Sequence, residues 1–238
     1  MYAPIVLQVQ VIMKVGSIQP EEFVRLVQPL LERKDVTGLF GLLRSRWSPD
    51  QIVELVADPT GHSDARKIAL LALGLVGNKC CVEVIANQLK DPDPLVRELA
   101  EHALWSTWFR GARVCEANKE LARGAEAIGR REFEVALSHL DRAVAMDEQF
   151  AEAYNQRAIL SYLQENYEAS MLDCRRAIEL MPVHFGAWAG LGHCLAHLGR
   201  LEEATTAYRR ALSIHPHVPC IAEAVRELTR ATVGHGLN

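Results

Sequence analysis

No stretch of this sequence approaches the roughly 18 consecutive apolar residues that a membrane-spanning helix requires. Cations are also scarce: Lys and Arg total 26 against 30 Asp and Glu, a formal charge of -4. Nucleic acid and anionic membranes both need a concentrated cationic face, so neither is an expected partner. There is no CxxC pair. The six cysteines, Cys80, Cys81, Cys115, Cys174, Cys194 and Cys220, are one vicinal pair and four singles. They read as reduced thiols packed as small hydrophobes in a cytoplasmic protein. The sequence holds no Gly-rich phosphate loop, nucleophile elbow, HExxH or paired catalytic carboxylates, so the reading is no catalytic site, no metal and no cofactor. What it does hold is 49% hydrophobic and 24% charged residues, the balance of an ordinary folded chain. Ala3 to Met13 is apolar but lacks a basic stretch before it and a small-residue cleavage site after it, which makes it a poor secretory signal. Residues 1–19 form a lead-in with no assigned structure.

Internal repetition organises the second half. Blocks beginning at Ala117, Ala151 and Phe185 are each 34 residues long. Tyr154 aligns with Trp188, Ala158 with Gly192, Ser170 with Ala204, Ala177 with Ala211 and Pro182 with Pro216, while Gly124, Ala136 and Ala143 continue the columns backwards. Each block reads as two helices, such as Ala151 to Gln164 and Tyr167 to Met181, with turns at Glu165-Asn166 and Gly199-Arg200. Small residues at the eighth and twentieth positions let the two helices of a block approach where they cross. Alanines 143, 177 and 211 serve the same end against the next block. Pro182 and Pro216 stop the second helix. Glu148 departs from that proline, and Asp147-Glu148 are expected to cap the following helix instead.

Trp188, Leu191, Gly192, Ala204, Tyr208, Ala211 and Pro216 carry a resemblance to the tetratricopeptide repeat family. The fold it implies is all-α, a right-handed α-solenoid of stacked antiparallel helix pairs. Three repeats span 117–150, 151–184 and 185–218 within residues 113–218. A terminal unit leaves its apolar face bare, and Ile221, Ala224, Val225 and Leu228 at helical spacing supply a capping helix over 219–232, before a flexible tail over 233–238.

The first half repeats less regularly. Ala65-Arg66, Ala69 and Ala72-Leu73 recur as Val96-Arg97, Ala100 and Ala103-Leu104, each 31 residues on. Asp93 is a natural N-cap with Pro94 in the first turn, and Ser48-Pro49-Asp50-Gln51 reads as a capping box. Pro20 to Arg33 and Val36 to Arg46 make a further helical pair. This pattern resembles HEAT-like repeats of the phycocyanobilin lyase type, assigned to residues 20–112. The aromatic cluster Leu104-Trp105-Ser106-Thr107-Trp108-Phe109 reads as a hydrophobic bolt ending the first array, with a binding hot spot as the alternative.

The tetratricopeptide resemblance implies a concave wall made by the first helix of each repeat. Its partner-facing positions are Asn118, Leu121, Ala125, Ile128 and Gly129, then Glu152, Asn155, Ile159, Tyr162 and Leu163, then Gly186, Ala189, His193, Ala196 and His197. Members that grip a terminal carboxylate do so with Lys, Asn and Arg at the fifth and ninth positions, held here by Leu121, Ala125, Asn155, Ile159, Ala189 and His193. That cationic clamp is missing, so an acidic tail is not the expected ligand. His193 and His197 have the spacing of a metal pair, but Cys194 points about 100° away and no carboxylate completes a ligand set. They read as partner-contacting or solvated. Arg175-Arg176 and Arg209-Arg210 read as solvated surface among Asp173, Glu179 and Glu202. The expected function is a non-catalytic adaptor holding a protein or peptide segment by its apolar side chains. The rival readings are a bilin lyase-like or chaperone role for the first half, and self-assembly as a homo-oligomer.

Overall fold

The computed structural model describes residues 17–58 and 61–235, with the backbone alone for 231–235. Most of the lead-in expected over 1–19 and the last three residues of the tail lie outside the described residues. Those residues hold thirteen α-helices and no strand. The chain divides between Thr107 and Trp108 into two compact units, with Ala86–Pro92 counting with the second.

In the first unit, α1 is Pro20–Glu32, α2 Val36–Arg46, α3 Pro49–Ala57 and α4 Ser63–Val76. A short helix α5, Val82–Asn87, and α6, Pro94–Phe109, both run across the division. The helix starts follow the predicted caps. Ser48 Oγ accepts from Gln51 N at 3.3 Å while Gln51 Oε1 accepts from Ser48 N at 2.9 Å, so both orphan donors are satisfied. Asp93 Oδ1 accepts from Leu95 N at 2.9 Å, and its other oxygen pairs with Lys67 at 2.8 Å. Phe23, Val27, Leu43, Ile52 and Leu73 are buried, and the Phe23 ring meets Trp47 edge-on at 5.0 Å. α4 and α6 start 31 residues apart, and a Cβ built on Gly74 of α4 would lie 3.6 Å from Ala103 Cα of α6.

The second unit is built from three antiparallel pairs and a final helix. The pairs are α7 Cys115–Gly129 with α8 Phe133–Met146, α9 Ala151–Leu163 with α10 Tyr167–Leu180, and α11 Phe185–His197 with α12 Leu201–Ile214; α13 is Pro219–His235. Each pair turns on one residue in the left-handed region: Arg131 (φ 62°), Glu165 (φ 61°) and Gly199 (φ 74°). The following N–H reaches back to close the turn, Glu132 to Ala127 O, Asn166 to Ser161 O and Arg200 to Leu195 O, each at 2.9 Å. The crossings are as close as the small residues allow. Ser170 Oγ donates to Ala158 O at 2.7 Å, joining the twentieth position of a block to its eighth. Ala143 and Ala177 are buried against the next pair, and Ala211 in the cluster that the final helix joins. Ile221 of α13 is buried in the core of the last pair, with Ala224, Val225 and Leu228 packed against the same cluster, as a capping helix requires. That helix runs to His235, past the expected end at 232.

One expected cap is different. Asp147 does not cap α9, whose N-cap Phe150 has no side-chain bond. Its Oδ1 accepts from Gln149 N at 3.0 Å, and its Oδ2 from Arg113 N at 2.7 Å, one repeat length earlier in the chain. The carboxylate thus ties one turn to its predecessor.

A second column links the helices within each pair. Glu120, Tyr154 and Trp188 stand 34 residues apart, as do Arg142, Arg176 and Arg210. Arg176 lies 5.9 Å from the Tyr154 ring and Arg210 6.0 Å from the Trp188 ring, both cation–π distances. In the first pair Glu120 replaces the ring, and the arginine becomes an ion pair, Arg142 Nε to Glu120 Oε2 at 2.6 Å. His139 and Arg123 also reach this buried carboxylate. Those hydrogen bonds, His139's first and then those of Arg142 and Arg123, hold its pKa at about 2, below an ordinary 4.5. A depressed folded-state pKa means stability that is present above the ordinary value and lost as pH falls towards the folded one. Urea midpoints are therefore expected to drop between about pH 4.5 and about pH 2. Glu120→Gln should remove that part of the slope; an unchanged slope in the variant would mean that other carboxylates carry it.

Candidate partner-binding wall

The first helices α7, α9 and α11 carry every position expected to face a partner, and the structure sorts those positions into three groups. Leu121 turns inward to the core formed with Ala117, Leu140 and Phe150. Glu152 and Asn155 are buried as well. Glu152 Oε2 lies 2.7 Å from His184 Nε2, and its Oε1 accepts from Asn155 Nδ2 at 3.2 Å and Gln156 Nε2 at 2.7 Å. His184 Nδ1 accepts from Ala187 N at 3.0 Å as the N-cap of α11, so Nε2 carries the proton and donates to Glu152. The Trp108 indole stacks on that imidazole, with ring centroids 4.0 Å apart and planes 15° apart. Leu121, Glu152 and Asn155 are therefore internal residues, in correction of the sequence expectation. A buried carboxylate needs a full set of donors, and this one finds them inside the fold.

A middle group is half-buried. It comprises Asn118, whose Oδ1 accepts from Ala112 N at 3.1 Å, and the small or apolar Ala125, Ile128, Gly186, Ala189 and Ala196. The open positions lie on α9 and α11 and at the end of α7. Ile159 and Leu163 are 38% and 49% exposed and lie four residues apart, on one face of α9. Tyr162 stands between them, half-buried, and Gly129 and His197 are exposed.

Around Tyr162 the structure gathers a ring cluster that the wall positions alone did not reveal. Tyr162 Oη is 2.9 Å from His197 Nε2, and Tyr208 Oη is 2.8 Å from His193 Nδ1. Tyr167 stacks on His197 at 4.4 Å and meets Tyr162 edge-on at 5.5 Å. Burial, and next the charge of His197, lowers the His193 pKa, while burial raises those of the Tyr162 and Tyr208 phenols. Each shift favours the neutral form, so Tyr208 donates to a neutral His193. Both imidazoles thus serve the wall as hydrogen-bonded rings. Cys194 points away into the core, its thiol donating to Ser170 Oγ at 3.0 Å, as helical phase predicts. Among the described residues no group of three His, Cys, Asp or Glu is placed to hold a metal ion. Tyr167 opens α10 and Tyr208 sits deep in α12; the repeat columns flagged Tyr208, but only the fold brings either ring to the histidines.

Family models described as Tetratricopeptide repeat match residues 121–182 and 186–218. Residues 121–182 and 186–218 are thus similar to tetratricopeptide repeats. A TPR repeat-containing protein of Rhizobium etli is 33% identical over 110 residues, covering 46% of this chain and 54% of that protein. Anaphase-promoting complex subunit 3 of Schizosaccharomyces pombe is 34% identical over 87 residues, 37% of this chain and 13% of that protein. This chain therefore matches about half of the first relative's length, 54%, and a smaller part of the second. Among solved structures, the Sgt2 TPR domain from Aspergillus fumigatus superposes with a TM-score of 0.50 at 18% identity, covering 53% of this chain and 85% of that domain. That likeness shows a shared helical fold. Within the matched residues, the open positions of the first helices contain no Lys or Arg. Among the described residues no helix is long and apolar enough to cross a membrane.

Proposed function

We propose that the chain is a non-catalytic adaptor whose tetratricopeptide wall holds an apolar segment of a partner protein. The observation that carries this reading is the pair Ile159 and Leu163, exposed side by side on α9 next to a ring cluster of tyrosines and histidines. Apolar side chains left in water at one helix face gain free energy when a partner covers them, about 1.5–3 kcal/mol for a fully buried Ile or Leu. The missing cations argue against a carboxylate-bearing acidic tail, because nothing on the wall would offset the desolvation of its charge. The relative that is a subunit of a multiprotein complex is in keeping with this role. The six free cysteines suit a reducing compartment, and the cytoplasm is the proposed site of action, without a nucleic-acid or membrane partner. For the first unit we infer HEAT-like repeats, supported by the matching starts of α4 and α6.

A photo-crosslinking residue at Leu163 should tag one continuous segment of the partner, and a synthetic peptide of that segment should bind the wild-type chain. Ile159→Asp is expected to weaken that peptide by more than tenfold, at least about 1.4 kcal/mol, while leaving helicity unchanged. A folded variant that binds the peptide as well as wild type would remove the wall from the account.

A further inference from the structure

Two buried thiols meet where α10 packs on α11. Cys194 Sγ donates to Ser170 Oγ at 3.0 Å, and a Cβ built on Gly190 would lie 3.0 Å from Cys174 Sγ. Ser170 and Cys174 are one helical turn apart on α10, as are Gly190 and Cys194 on α11. Ser170 is thus level with Cys194, and Cys174 with Gly190, the register of two antiparallel helices. Side chains on a helix lean towards its N-terminus. Cys174 therefore leans towards Ser170 and Cys194 towards Gly190, which brings both sulfurs to one level between the helices. There the two thiols interact, inside the core of the last two pairs. One repeat earlier the same two positions are Leu140 and Leu160, both buried in one cluster, so the packing itself does not call for sulfur.

The pair is chemically unequal. The hydrogen bond from Cys174 holds the Cys194 pKa at about 7, below an ordinary 9, while that bond, and next burial, push Cys174 up. Cys194 is the better nucleophile and Cys174 the thiol placed to resolve it. We propose that Cys174 and Cys194 are a site of oxidative modification, closing to a disulfide between α10 and α11 when the chain meets hydrogen peroxide. The Cys194 sulfur attacks one peroxide oxygen, the O–O bond breaks, and the departing hydroxide leaves as water with the Cys194 proton. The Cys194 sulfenic acid that remains is attacked at sulfur by Cys174. The S–S bond forms as the S–O bond breaks, and the hydroxide leaves as a second water with the Cys174 proton. Two thiols are oxidised and one peroxide is reduced to two waters. The bond would staple the second helix of one pair to the first helix of the next.

The test treats the full, reduced chain with excess hydrogen peroxide, removes the peroxide with catalase, and alkylates the remaining thiols in denaturant. Tryptic mapping should recover the Cys174 and Cys194 fragments joined and two hydrogens lighter than their sum. The exposed Cys80, Cys115 and Cys220 should not appear in that link. The closed loop restricts the unfolded chain, so the treated protein should melt at least about 5 °C higher, and dithiothreitol should reverse the gain. Cys174→Ala should lose both the link and the gain, and should leave a Cys194 sulfenic acid that dimedone labels. Mapping of the wild-type chain decides the matter even where that variant folds poorly. Cys174 and Cys194 recovered as free thiols, as separate sulfinic acids, or linked to other cysteines would overturn the proposal. So would a link that forms only after unfolding in urea.

Discussion

Gly192→Ala is expected to destabilise the second unit by about 2–3 kcal/mol, a large effect for one methyl group. A Cβ at this position would lie 2.5 Å from both Cδ1 and Cε1 of Tyr208. The ring has no easy escape, because it is buried and its hydroxyl is held by His193 at 2.8 Å. The methyl must therefore drive α11 and α12 apart or break the Tyr208–His193 bond. Two other glycines set the scale. At Gly124 the added atom would meet Leu140 Cγ and Cδ2 at 2.8 Å, the flexible end of an aliphatic chain, and a cost of about 1 kcal/mol is expected. At Gly129 nothing lies within 4 Å, so alanine should stabilise α7 by up to about 1 kcal/mol. Urea unfolding of the three variants should rank them in that order. A neutral Gly192→Ala would mean that the helices do not cross in the described register.

Glu152→Leu should cost about 3–5 kcal/mol, because it leaves three buried donors unsatisfied at about 1–3 kcal/mol each. The change strands the Nε2 proton of His184 and the side-chain amides of Asn155 and Gln156, all of which now point at one carboxylate. Glu152→Gln keeps an acceptor for His184 and should cost much less. His184→Phe added to Glu152→Leu should cost less than it does alone, with a coupling of at least about 1.5 kcal/mol in a double-mutant cycle. Thermal unfolding read by circular dichroism decides the matter. Additive losses would show that the two side chains do not act as a pair. The same experiment separates an internal Glu152 from a partner-facing one, since a surface glutamate on the wall would tolerate leucine.

The helix pairs were legible because their signals are local and periodic. Gly124, Ala136, Ala143 and Pro216 recur at fixed offsets, and the Ser48–Gln51 box is complete within four residues. The wall was legible only in part. Position within a repeat places a residue on a helix face, but its burial depends on which distant side chain comes to meet it. His184, 32 residues after Glu152, supplies the inward pull that family position alone does not encode. Glu120 escaped for the same reason: it holds a column that carries rings in the next two repeats, and its partners His139 and Arg142 lie 19 and 22 residues on. Acids before a helix commonly cap it, but for Asp147 the nearer donors are Gln149 N and Arg113 N.

Packing in the second unit runs chiefly between helices consecutive in sequence: α7 on α8, α9 on α10, α11 on α12, and each pair on the next. Loop closure between such neighbours costs little entropy, so this half should collapse rapidly and from several starting points. During translation each hairpin can bury its apolar face soon after it clears the ribosome, well before synthesis ends. Only the last hairpin must wait for α13, so a nascent chain halted before Pro219 would leave sticky surface around Tyr208 and Ala211 for chaperones to shield.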